Sequence, residues 1–360
     1  MKVKGGPGRF LGWKGAGLAL VAGWALLGPG LPALAEDAPS PPPRRANSDY
    51  LYYRNGNPRD AVGACQGGVA LVGGGGYLDE VFRWMARRSG GGDFLVLRAV
   101  GDAEIHPYLE DLGGFDSVET LLLLTREASS DPFVLDRVRR ADALWLAGGD
   151  QSRYVRRWKD TPLEDALNEA ASRGVPLGGT SAGLAVLGEF SFSCRKDTIT
   201  SPEALADPDD PRVTLDRDFL QAPRMGGILT DSHFSERDRM GRLVVFLAWI
   251  GRQGWSERPR AVAVDERTGV LLEPDGSSKV VGESSAFFVE APPAPPSWEE
   301  GRPFTWRDLQ VEEVPSGGAF DFPSWTGSGT RYGLSVTDGV LERGEAPAAG
   351  REPARKTSPK

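Results

Sequence analysis

Histidine and cysteine are scarce in this chain, with two of each among 360 residues. His106 and His233 are too few for a structural zinc site, and neither Cys65 nor Cys194 stands in a metal-ligand pattern. Two cysteines exclude a disulfide framework, although an exported chain could join the pair. Long apolar runs are also missing. Ala16 to Leu27 is apolar for only twelve residues, short for a membrane span, and no second span follows. Positive charge is in deficit, with a formal net charge of −8. That balance argues against nucleic acid as a partner and mildly favours basic substrates. A phosphate-cradling loop is absent as well. Gly73 to Gly76 gives no G-x-x-x-x-G-K-[ST], and no G-x-G-x-x-G because Leu78 falls where the last glycine belongs. The run reads better as a tight turn beside an active site. No internal repeat is found.

The first 35 residues read as a signal peptide. Lys2, Lys4, Arg9 and Lys14 precede the apolar run, and Ala33-Leu34-Ala35 precedes Glu36. A cut near Ala35 would leave a secreted or periplasmic protein with no membrane span; an uncleaved N-terminal anchor is the alternative. The cut site has no cysteine to carry a lipid. Losing four basic residues and no acidic ones takes the net charge from −8 to −12. Residues 36–60, with Pro41-Pro42-Pro43, read as a Pro-rich linker or extended arm, and order is expected from near Gly67. Residues 345–360, rich in Ala, Pro, Arg and Lys, read as a disordered tail.

Between these ends, short apolar strands alternate with helices. Gly68–Val72, Phe94–Leu97, Val118–Leu124 and Ala143–Ala147 read as strands. Tyr77–Arg88, Asp131–Ala141 and Tyr154–Ser172 have helical spacing. The pattern predicts an α/β fold, a mostly parallel sheet sandwiched by helices. Sites in such sheets lie at the carboxyl ends of strands. Three glycine-bearing loops fall there: Gly73–Gly76, Gly148–Gln151 and Gly178–Gly183. Past residue 197 the chain turns polar. A strand at Gly227–Thr230 and a helix from Arg237 to Trp249 follow, then short strands at 261–264, 269–272, 279–281 and 286–289. Residues 61–290 read as the principal domain and 291–344 as a β-rich extension.

The richest segment is Gly178-Gly179-Thr180-Ser181-Ala182-Gly183. It contains G-x-S-x-G, which suits a sharp strand-to-helix turn exposing a serine hydroxyl. The Ala182 amide would then face an oxyanion. Serine needs a base to act as a nucleophile near neutral pH. His233 follows a strand and has polar neighbours. His106 reads as a solvated loop histidine. Asp197, Glu203, Asp207, Asp209 and Asp210 lie between Ser181 and His233, and any of them could orient the imidazole. Arg237, Arg239 and Arg242 follow His233 as a solvated helix start or as a carboxylate-binding group.

Three motifs together resemble the cyanophycinase and dipeptidase E family of serine peptidases, which has a class I glutamine amidotransferase-like fold. They are Leu146-Ala147-Gly148-Gly149-Asp150-Gln151, the Ser181 segment, and the run from Asp231 through His233 to Leu243. The resemblance covers roughly residues 60–290. It implies Ser181 as nucleophile, His233 as base and Glu203 as the acid. It implies that Gly149 and Ala182 serve the oxyanion and that Gln151, Asp231, Arg239 and Arg242 contact substrate. The implied substrate is an aspartyl or β-aspartyl isopeptide linkage, such as cyanophycin cut to β-Asp-Arg dipeptides. No metal and no cofactor are expected. The partners are a peptide or isopeptide substrate, with a second copy of the chain as a candidate. Ser232 stands where a glutamine is common in that family.

Two other readings compete. An α/β-hydrolase esterase shares G-x-S-x-G, but its histidine normally lies near the C-terminus. Here 52 residues separate Ser181 from His233, and 127 follow His233. A non-catalytic exported binding protein on the same fold is the second.

Overall fold

The computed structural model describes residues 42–344 apart from 61, 294, 295 and 297. The expected leader and tail lie outside the described residues. The chain begins with strands β1 (Arg45–Ala46) and β2 (Tyr50–Gly56). It continues through β3 (Val69–Val72), helix α1 (Asp79–Arg88), β4 (Asp93–Arg98), α2 (Ile105–Leu112) and β5 (Ser117–Leu123). Next come α3 (Pro132–Arg140), β6 (Ala143–Leu146), α4 (Gln151–Trp158), α5 (Pro162–Ser172) and β7 (Leu177–Thr180).

Strands β5, β4, β6, β7 and β3 lie side by side in that order, all parallel. Every residue of β3, β4 and β6 is buried, as strands covered on both faces must be. Alternate side chains go to opposite layers. Leu71, Leu95, Leu97 and Leu144 pack with Val134 of α3 and Leu163 and Leu167 of α5. Val72, Phe94, Val96 and Trp145 pack with Phe82 and Met85 of α1 and Ile105 of α2. The expected helix from 154 to 172 is two helices. Asp160 has a positive φ, and Pro162 opens α5, so the first helix ends before it.

The second half adds β8 (Phe190–Phe192), α6 (Ser201–Ala206), β9 (Leu215–Arg217), β10 (Ile228–Asp231) and α7 (Met240–Arg252). Then follow β11 (Arg260–Val264), β12 (Thr268–Leu272), β13 (Ser277–Gly282) and β14 (Ser285–Glu290). The last strands are β15 (Trp306–Pro315), β16 (Ala319–Asp321), β17 (Thr326–Gly327), β18 (Thr330–Thr337) and β19 (Val340–Arg343). Among the described residues the strands form an 11-stranded and an 8-stranded sheet. The chain passes from the smaller sheet to the larger at the turn between β11 and β12.

Two expected boundaries differ in the structure. The 36–60 arm contains β2, which pairs antiparallel with β5 from Tyr50↔Leu123 to Gly56↔Ser117. Tyr50, Tyr52 and Tyr53 are buried there, and aromatic burial outweighs the surrounding Pro, Asn and Arg. Residues beyond 290 continue both sheets: β15 pairs with β14, and β16 with β13. His106 is not a solvated loop residue either. It lies in α2, fully buried, with Nε2 2.9 Å from Thr120 Oγ1, and burial pushes its pKa down to about 4.

Candidate active site

Four loops at the carboxyl ends of β3, β4, β6 and β7 converge on one cavity of about 420 Å³. Its walls include Gly74, Arg98, Glu104, Trp145, Gly149 and Ser181, and His233 closes one side. The three glycine-bearing loops expected at strand ends all come to this side of the sheet.

Ser181 follows β7 directly, with φ at +53° in the left-handed region. That conformation costs roughly 1–2 kcal/mol for a residue with a Cβ. It is held by the Ser181 amide donating to the Val72 carbonyl at 3.0 Å and by the Ser181 carbonyl accepting from Ala185 at 3.0 Å. Gly183 is needed because a Cβ there would collide with the Leu146 carbonyl of β6. The turn leads into a three-residue 3₁₀ segment, Leu184–Val186, rather than an α-helix.

His233 lies two residues past β10, also with positive φ (+45°), and its amide donates to the Gly73 carbonyl at 2.9 Å. Its Nε2 is 2.7 Å from Ser181 Oγ. A Cβ on Gly74 would collide with the imidazole, so glycine at 74 leaves room for the ring. On the far side of the ring, Nδ1 is 2.6 Å from Glu266 Oε1. An ionised carboxylate can only accept, so Nδ1 carries the proton and Nε2 is left to accept from the serine hydroxyl. Burial pushes the His233 pKa below its ordinary value, helped by the Arg237 and Arg239 charges and opposed by the Glu266 hydrogen bond. That same hydrogen bond holds the Glu266 carboxyl below its usual range.

Glu203 is therefore not the carboxylate beside the histidine. It caps the first turn of α6, accepting the Thr200 amide at 2.9 Å, the Thr200 hydroxyl at 2.7 Å and Arg212 Nη1 at 2.9 Å. These partners, led by the Thr200 hydroxyl, pull its pKa down to about 2. Glu266 lies after His233 in the chain, outside the Ser181–His233 interval that holds Glu203. A signal for it was present. Asp265-Glu266 follows the strand expected at 261–264, and β10 and β11 run parallel with Asp231 opposite Ala263. Continued past the strand ends, that register brings residue 233 beside 265 and 266.

The expected substrate contacts separate. Asp231 and Arg242 are turned to each other in the interior. Arg242 Nε donates to Asp231 Oδ2 at 2.9 Å and Nη2 to Oδ1 at 2.5 Å, with the guanidinium 5.2 Å from the Phe192 ring centre. Burial raises the Asp231 carboxyl, but the Arg242 and Arg239 charges outweigh it and the net direction is down. Arg239 Nη1 reaches Asp231 Oδ1 at 3.2 Å and the Ser232 carbonyl at 2.6 Å. Burial lowers the Arg239 pKa to about 10. Gln151 opens α4, and its Nε2 is 3.5 Å from the Phe192 carbonyl. None of these four residues lines the cavity, whereas Gly149 does. Ala182, next to the serine, is buried. Cys65 and Cys194 are separate thiols; Cys65 Sγ donates to the Asp142 carbonyl, and burial pushes its pKa up to about 11.

Residues 104–206 match Peptidase family S51, a span that holds Ser181 and ends before His233 and Glu266. The chain is similar to the cyanophycinase of Synechococcus elongatus, 32% identical over 188 residues, covering 51% of this chain and 52% of that protein. It is 29% identical to the cyanophycinase of Trichormus variabilis, covering 49% and 54%. It thus spans about half the length of these curated relatives. The crystal structure of a peptidase from an acI-B1 Actinobacterium superposes with a TM-score of 0.48 at 18% identity, covering 72% of this chain and 98% of that one. The motifs read from the sequence and the matched relatives agree: this chain resembles the cyanophycinases, and its residues 104–206 match Peptidase family S51.

Proposed function

We propose that this chain is an exported serine peptidase of the cyanophycinase type that cleaves aspartyl or β-aspartyl linkages through an acyl-enzyme. One observation carries the reading: a serine on a strained turn, 2.7 Å from an imidazole whose other nitrogen is 2.6 Å from a carboxylate. Ser181 Oγ attacks the scissile carbonyl carbon while its proton passes to His233 Nε2. Glu266 holds the ring and balances the imidazolium charge. The Ala182 and Gly149 amides have no hydrogen-bond partner among the described residues, which supports their role as oxyanion donors. His233 then gives its proton to the leaving amine, and water attacks the acyl-enzyme by the reverse route.

The relatives' name and the basic-substrate preference of an acidic chain support an arginine-bearing polyaspartate as the favoured polymer. The test is hydrolysis of cyanophycin, a β-aspartyl dipeptide panel and a neutral activated ester by the chain from residue 36 onward. Release of β-aspartyl dipeptides supports the reading. Efficient ester hydrolysis with no aspartyl cleavage would transfer the chain to the esterase reading. N-terminal sequencing of the native protein tests export, and a cytosolic chain starting at Met1 would refute it.

A further inference from the structure

The Ser181–His233–Glu266 arrangement is assembled from separate segments, and something must hold the last two in register. The ladder between β10 and β11 ends at Asp231↔Ala263, short of both functional side chains. Beyond it, the main chain supplies one long bond, Phe234 amide to Val264 carbonyl at 3.3 Å. Both segments also bond to the Gly73–Gly74 turn, His233 amide to the Gly73 carbonyl at 2.9 Å and Arg267 amide to the Gly74 carbonyl at 2.7 Å, and the remaining direct ties come from two carboxylates. Glu236 Oε1 accepts the Glu266 amide at 3.0 Å, but that contact is exposed. Asp265 is only 2% exposed. Its Oδ1 accepts the Ser235 amide at 2.9 Å, and its Oδ2 accepts the Ser284 hydroxyl at 2.6 Å.

Asp265 has no ion-pair partner among the described residues, and both of its donors are neutral. A buried carboxylate without a cation is a costly way to fill space. Its position accounts for it. Asp265 is the neighbour of Glu266, and Ser235 is two residues from His233. The buried bond therefore clamps the histidine loop directly to the turn bearing the acid. The Ser284 hydroxyl fixes the second oxygen and so the plane of the carboxylate. A hydrogen-bonded pair such as His233–Glu266 tolerates displacement of only about 0.5 Å before its geometry is lost.

We infer that Asp265 is a positioning residue for the His233–Glu266 pair, an inference that rests on the serine-peptidase reading above. It touches neither substrate nor serine and acts by holding two loops together. The test uses the rate of fluorophosphonate labelling at Ser181, normalised to folded protein, together with kcat, KM and the pH–rate profile on an aspartyl substrate. Asp265→Ala should slow labelling and kcat by about tenfold or more, with KM nearly unchanged. Its acid limb should move to lower pH, because the Glu266 contact that raises the imidazole pKa is loosened. Asp265→Asn keeps an oxygen for the Ser235 amide and should stay within about threefold of wild type. If Asp265→Ala does not fold, Ser284→Ala carries the same test at smaller amplitude. A purely structural residue would lower Tm while leaving the labelling rate and pH profile of the folded fraction unchanged, and that result overturns the inference. A wild type that takes no label at Ser181 refutes the functional reading, and the inference with it.

Discussion

At the scale of residues, two carboxylates divide two jobs. Glu266 bonds the imidazole and Glu203 caps a helix. Replacing Ser181 or His233 by Ala should each cost on the order of 10⁴-fold or more in kcat, and nearly equally, because the pair acts as one unit. Glu266→Ala should cost less than either, and Glu203→Gln should leave kcat at the wild-type value; steady-state kinetics on one substrate separates the four. A collapse in Glu203→Gln with Glu266→Ala intact would reverse the assignment. The pH dependence follows from the lowered His233 pKa. The base must be neutral to work, so activity should persist below the ordinary imidazole value of about 6.5 before its acid limb appears. A kcat/KM profile already falling above that value would contradict it. Ser181 and His233 could be read in the sequence because glycine spacing marks one and scarcity marks the other. The acid is harder to read because carboxylates are abundant, and Glu266 stands out only once the strand before it is paired with the strand before His233.

At the scale of elements, the site depends on close approaches that sequence spacing shows only as glycines. Gly183 sits against β6, and Gly74 faces the imidazole. Gly74→Ala adds both a collision with the ring and strain at a φ of +106°. It should slow Ser181 labelling far more than it lowers Tm, and equal loss of both would point to a general folding defect. The strands at 69–72, 93–98 and 143–146 were legible because fully buried parallel strands are continuous apolar runs. The break between α4 and α5 had a signal in Pro162, which cannot continue a helix, but the helical spacing on either side of it reads as one run. The buried Asp231–Arg242 pair was hidden. Ion-pair partners eleven residues apart can face substrate or each other, and only packing between Phe192 and Phe246 decides it.

At the scale of the whole molecule, two sheets share one chain, and the acid sits at the crossing between them. The segment from 306 to 343 completes both sheets, so its removal exposes the edges of β14 and β13. Truncation after residue 290 should yield an aggregating chain rather than an active one; a soluble, active truncation would contradict that continuity. Arg242→Leu leaves a buried Asp231 with one cation fewer and should cost about 3 kcal/mol by chemical denaturation. His106 adds a pH term. Its folded pKa of about 4 lies below the unfolded value of 6.5, so the unfolded chain binds the proton first as pH falls. Stability should therefore decline from pH 6.5 toward 4, by up to about 3 kcal/mol, and His106→Gln should flatten that decline. The α/β class was legible from alternating strands and helices. The strands beyond 290 were legible as a β-rich extension; that they join the sheets of the main domain, and that residues 50–56 pair with 117–123, was not, because a strand's own spacing does not name its partner. The central claim is that Ser181 is a nucleophile activated by His233, with Glu266 orienting the ring. Its most direct test is fluorophosphonate labelling followed by peptide mass mapping of wild type, His233→Ala and Glu266→Ala. A single adduct on Ser181 is expected, abolished without the histidine and slowed without Glu266. An adduct elsewhere, or equal labelling in all three proteins, would contradict it.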